Sequence, residues 1–114
     1  MLTDEVRYKL LKLLKENPGM SQRDVARELG LSLGRVNYCL RALIERGFVK
    51  TASFKNSQNK SAYLYLLTPS GIQHKARVTA RFLQWKLREY EQLRAEIESL
   101  RSDARRNQRP AGRS

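Results

Sequence analysis

A mainly helical chain with one small β-hairpin, closed by a helix longer than its domain, is the fold class the sequence predicts. Three observations predict it. Between Gln22 and Leu40 two amphipathic segments flank a glycine, with Val25, Leu29, Leu31, Val36 and Cys39 facing one another across Gly30. Two β-rich runs, 48–54 and 62–67, then enclose a polar stretch, 55–60. From Pro69, at a first helical position, good helix formers then continue to about Ser102.

The first helix is expected over 4–16, with Thr3 as N-cap, Asp4 and Glu5 in the first turn, and Asn17-Pro18-Gly19 ending it. Val6, Leu10, Leu13 and Leu14 line one face, which makes it scaffold. A second helix opens on a capping box, Ser21-Gln22-Arg23-Asp24, in which Ser21 bonds the N–H of Asp24 and the Asp24 carboxylate reaches back. Ala26 is small where two helices cross, and Gly30 takes the positive φ that reverses the chain. The third helix begins after Ser32 and ends at Gly47. Leu33, Val36, Leu40, Leu43 and Ile44 form its buried stripe, leaving Gly34, Arg35, Tyr38 and Arg41 outward and Asn37 at the margin.

Aromatic and β-branched residues on both sides of a loop of turn formers read as a hairpin. A basic-tipped hairpin directly after a helix-turn-helix is a wing. Thr68 then caps a last helix with proline in its first position. From 69 to 102 it holds about 34 residues, which at about 1.5 Å each reach roughly 50 Å. So small a domain cannot cover that length, and the outer half needs another chain. The expected division is therefore a winged helix-turn-helix domain at 1–68, a dimerisation helix at 69–102, and a disordered basic tail at 103–114.

Charge points the same way. The 114 residues hold 23 Lys and Arg against 11 Asp and Glu, a formal charge of +12. No acid falls between Glu45 and Glu89, a stretch that holds Arg46, Lys50, Lys55, Lys60, Lys75, Arg77, Arg81, Lys86 and Arg88. A field of one sign draws in a polyanion, and counterion release on phosphate neutralisation supplies most non-specific affinity for DNA.

Several classes are excluded. No segment approaches the roughly 20 apolar residues of a membrane span. One Cys and one His allow neither an internal disulfide nor a protein-only zinc site. Asp4, Glu5, Arg7 and Lys9 break any secretory signal, so the chain is expected in the cytoplasm. Asp24 and Glu28 lie among arginines, where charge pairing explains them better than acid–base catalysis. With no nucleophile motif or phosphate loop, neither catalysis nor a cofactor or metal is expected.

Residue types on the third helix suit base edges. Arg35 and Arg41 can bond bidentately to guanine and Asn37 to adenine, while Tyr38 suits a thymine methyl or a phosphate. Gln22, Arg23 and Ser32 lie at helix N-termini, where a phosphate is favoured; Lys55 and Lys60 are placed to neutralise phosphates from the wing. Cys39 points by its phase toward the core, and His74 is expected to be solvated.

The long helix carries a heptad seam. With position a at Ala76, Leu83, Tyr90 and Ile97, position d falls at Ile72, Thr79, Lys86, Leu93 and Leu100, and Leu87 at e offsets Lys86. Position g holds Glu89 and Glu96, and e holds Arg94 and Arg101. In a parallel pair g meets e of the next heptad on the partner, setting each Glu against an Arg; an antiparallel pair sets Glu against Glu. The expected partner is a second copy, through Ile72, Ala76, Leu83, Leu87, Tyr90, Leu93, Ile97 and Leu100. A domain this small also gains stability from dimerisation.

The order of elements, with Leu67-Thr68-Pro69-Ser70-Gly71 opening the long helix, resembles the MarR family of bacterial winged-helix transcription regulators. Val36-Asn37-Tyr38-Cys39-Leu40, Asn56-Ser57-Gln58-Asn59-Lys60 and Tyr63-Leu64-Tyr65-Leu66-Leu67-Thr68-Pro69 resemble its small subgroup tied to exopolysaccharide gene clusters. The resemblance covers about residues 1 to 100. It implies a homodimer on a pseudopalindromic operator in double-stranded DNA, with the third helix in the major groove and the wing at the minor groove. Larger members carry a helix ahead of Met1 that builds the dimer and an effector pocket, so no small-molecule effector is expected. Many members also have an Asp-x-Arg wing tip, whereas Asn56-Ser57-Gln58-Asn59 lies here between lysines that lack arginine's planar fork. The alternative reading is a winged helix that serves protein assembly and docks through its long helix.

Overall fold

The structure, a computed structural model, describes residues 3–55 and 61–108, without the side chains at 54, 55, 61 and 62. The elements are α1 (Asp4–Glu16), α2 (Gln22–Leu29), α3 (Leu33–Glu45), β1 (Val49–Lys55), β2 (Ser61–Leu67) and α4 (Pro69–Asn107). Packing divides the chain into one unit, Met1–Phe82, and a second, Leu83–Ser114. The first unit thus takes in the start of α4.

Each helix starts where a hydroxyl satisfies an orphan backbone N–H. Thr3 accepts from Val6, Ser21 from Asp24, Ser32 from Arg35 and Thr68 from Gly71, all at 3.0 to 3.2 Å. The capping box is one-sided, because the Asp24 carboxylate meets Arg27 at 3.4 Å instead of turning back. Gly30 ends α2 at φ 67°, and the N–H of Leu31 returns to the Ala26 carbonyl at 2.9 Å. That left-handed cap reverses the chain into α3 with little strain.

The core of this unit joins Leu10, Leu11 and Leu14 of α1 to Val25 and Ala26 of α2, Val36, Cys39, Leu40 and Leu43 of α3, Val49 of β1 and Val78 of α4. Burying each leucine contributes about 1.5–3 kcal/mol. Leu11 is fully buried while Val6 and Leu13 are only half-buried, so the α1 stripe is turned toward Leu11 relative to the sequence reading. Leu33, expected in the α3 stripe, is 43% exposed. It shares the phase of Val36 and Leu40 but occupies the first turn, outside the packed layer.

β1 and β2 pair antiparallel in register from Val49 opposite Leu67 to Lys55 opposite Ser61. The expected wing tip, 56–60, lies outside the described residues. β2 is also tied back to the α1–α2 loop, where the N–H of Tyr65 donates to the Pro18 carbonyl at 2.9 Å.

In the second unit α4 continues to Asn107, so residues 103 to 107 of the expected disordered tail are helix. Arg106 pairs with Asp103 one turn back, and Arg105 and Arg106 sit at a C-terminus, where the helix dipole favours cations. The residues from 109 onward lie outside the description.

Candidate nucleic-acid interface

The outward residues of α3 recur at three- and four-residue spacing and so share one face. Arg35 and Arg41 are exposed, Tyr38 is 68% exposed, and Asn37 is half-buried at the edge. Asn37, Tyr38, Arg41, Ala42 and Glu45 line a shallow groove of about 300 Å³. Glu45 had not been expected there, and its carboxylate is an acceptor of the kind that suits a cytosine amino group.

Two expected phosphate contacts already have protein partners. The Ser32 hydroxyl caps α3 through Arg35 N–H at 3.1 Å. Gln22 is held internally: its Nε2 donates to Tyr65 Oη at 3.1 Å, and its Oε1 accepts from Asn37 Nδ2 at 3.3 Å. Arg23 stands exposed in the first turn of α2. Lys55 ends β1 with its side chain outside the description, and Lys60 lies outside the described residues. Tyr65 was missed because it is 43 residues from Gln22, and only the hairpin brings them together.

His74 corrects the sequence reading most clearly. It is 9% exposed and its ring lies on Phe48. Burial lowers its pKa, with Arg7, Arg77, Arg81 and Arg46 adding to the effect. Cys39 is buried as expected, and burial raises its thiol pKa. Among the described residues no group of three His, Cys, Asp or Glu could hold a metal, and no helix is long and apolar enough to cross a membrane.

The expected seam positions Ile72, Leu83, Leu87, Tyr90, Leu93, Ile97 and Leu100 are 41–66% exposed, and Ala76 is exposed too. Trp85, which the heptad places off the seam, is exposed as well.

Residues 3–50 match a family model described as winged helix-turn-helix DNA-binding. No curated protein shows a significant match to this sequence. Among solved structures, the PcaV transcriptional regulator of Streptomyces coelicolor, in complex with its natural ligand, is 24% identical, with TM-score 0.63 over 89% of this chain and 70% of that one. The zinc-bound MarR family regulator AdcR is 25% identical, with TM-score 0.55 over 84% of this chain and 62% of its own. A mutant of S. aureus MepR bound to an oligodeoxyribonucleotide is 22% identical, with TM-score 0.53 over 86% and 77%. The chain therefore has the elements that MarR-family structures share, a winged helix-turn-helix followed by a long C-terminal helix.

Proposed function

We propose that this protein is a sequence-specific transcription regulator of the MarR type that binds a pseudopalindromic operator in double-stranded DNA as a homodimer. The observation that carries the reading is the α3 face, where Arg35, Asn37, Tyr38 and Arg41 present base-reading chemistry on a helix exposed along that side. A protein-docking face would be apolar or acidic. The net charge of +12 supports it by supplying long-range attraction to phosphate.

The dimer is formed by α4. Its apolar stripe from Leu83 to Leu100 is exposed in the single chain, and g-position glutamates with e-position arginines favour a parallel pair. Exposed ion pairs contribute only about 0–1 kcal/mol each, so charge sets orientation while burial of Leu83, Leu93, Ile97 and Leu100 supplies affinity. The exopolysaccharide-associated resemblance makes such a gene cluster the first place to seek the operator.

Mobility shift on a pool of genomic fragments at two salt concentrations, followed by sequencing of the bound fraction, tests the function. Enrichment of an inverted-repeat motif that survives the higher salt is expected. Retention of all fragments alike, abolished by salt, would overturn sequence-specific reading.

A further inference from the structure

Gln22 spans three elements. From the first position of α2 it donates through Nε2 to Tyr65 Oη on β2 and accepts at Oε1 from Asn37 Nδ2 on α3. All three side chains are half-buried. Tyr65 is itself fixed by its backbone, which pairs opposite Thr51 and donates to the Pro18 carbonyl.

We propose that Gln22 is a positioning residue for base recognition: it holds the Asn37 carboxamide in one orientation at the edge of the α3 face, and Tyr65 holds Gln22. This rests on the DNA-reading function proposed above. With one N–H committed to Gln22, Asn37 keeps its second N–H and its Oδ1, the donor and acceptor that match adenine N7 and N6. A free carboxamide would lose rotamer freedom on binding and could present its two ends in either order. Fixing it in the unbound protein removes that entropy loss from the binding step. The bonds to Tyr65 and Asn37 leave Gln22 one N–H, so the test separates positioning of Asn37 from a phosphate contact.

The test is a double-mutant cycle in the full chain, on the operator selected from genomic fragments and its single-base variants. Gln22→Ala should flatten discrimination at the base pair that Asn37→Ala flattens, by about tenfold, and leave the other positions and the salt dependence unchanged. The double variant should lose no more than about twofold beyond Asn37→Ala alone. Gln22→Glu keeps acceptors for both Asn37 and the Tyr65 hydroxyl, so it should weaken all sequences through its charge yet preserve the preference. Thermal melts identify any variant that loses its fold, and Tyr65→Phe, which deletes only the hydroxyl, then provides the same positional readout. A uniform loss with shallower salt dependence in Gln22→Ala would mark a phosphate contact and overturn the proposal. So would losses that multiply in the double variant, or an Asn37→Ala without any base effect. Failure of the wild type to select any sequence would instead defeat the DNA-reading function itself.

Discussion

The imidazole of His74 lies flat on the ring of Phe48, with centroids 4.1 Å apart and planes 6° from parallel. This stack is the centre of the joint between the α3–β1 turn and α4. One turn earlier on α4, Gly71 passes so close that a Cβ there would lie 1.9 Å from the Phe48 carbonyl oxygen. Thr68 and Ser70 both donate to the Gly47 carbonyl, at 2.5 and 3.0 Å, and the N–H of Thr68 donates to the Phe48 carbonyl. The Thr-Pro-Ser-Gly run thus fastens the long helix to the end of α3.

Gly71→Ala should destabilise the fold by about 1–3 kcal/mol or more, because the atom in the way is backbone and cannot swing aside. Gly34→Ala meets nothing within 4 Å and should stabilise α3 by about 0.5–1 kcal/mol through helix propensity. Urea denaturation of both variants checks the contrast.

The stability of the first unit should fall as pH drops below about 6.5, the ordinary histidine value. Burial holds the folded-state pKa of His74 below that, with Arg7, Arg77, Arg81 and Arg46 reinforcing it; Asp4 is the acid within range. In the window between the folded and unfolded values the unfolded chain binds more protons, so protonation favours unfolding and stability rises with pH. His74→Phe keeps a flat ring against Phe48 and should lose this slope in urea titrations run across pH. The Asp4 carboxyl is lowered first by its hydrogen bonds from Arg81, so its contribution is present above about pH 4 and fades below it, in a separate window.

Arg41→Ala should weaken operator binding by about 1–3 kcal/mol and relax preference at one base position. Lys60→Ala should weaken all sequences alike and reduce the salt slope by about one unit. Titrations against operator and scrambled duplexes at several salt concentrations separate the two. An Arg41→Ala variant with unchanged affinity and preference would show that α3 is not the reader.

Light scattering should give a dimer for the wild type and a monomer for Leu93→Lys with Ile97→Lys, with operator affinity falling in parallel. In Cys39→Ser with Ile97→Cys, the two position-97 thiols should cross-link across a parallel seam. A wild-type monomer, or the absence of that cross-link in a dimer, would sink the parallel arrangement.

Cys39 is 1% exposed, and burial raises its thiol pKa, so a disulfide reagent should label it only as fast as the native unit opens. Labelling followed across a urea series should track unfolding, and rapid stoichiometric labelling in buffer would contradict the burial.

Local chemistry made the element order legible in the sequence: a hydroxyl before each helix, Gly30 where only a left-handed residue closes the turn, and Pro69 behind Thr68. These signals act within a few residues, so they need no knowledge of the rest of the chain. The α3 face was legible for the same reason, since helical periodicity alone puts Arg35, Tyr38 and Arg41 on one side. What the sequence could not decide were relationships between distant residues. His74 looked like a solitary polar residue until α4 packed it on Phe48. Gln22 reads from the sequence as a residue at a helix N-terminus suited to phosphate, while its bonds to Tyr65 from the hairpin and to Asn37 on α3 join residues 43 and 15 positions away. Leu33 is exposed because periodicity gives the phase of an apolar stripe but not where along a helix its neighbour ends, and Leu11 joins the core because the run Leu10, Leu11, Leu13 and Leu14 admits more than one apolar phase. Burial and long-range hydrogen bonding depend on which surfaces meet, and only the tertiary structure decides that.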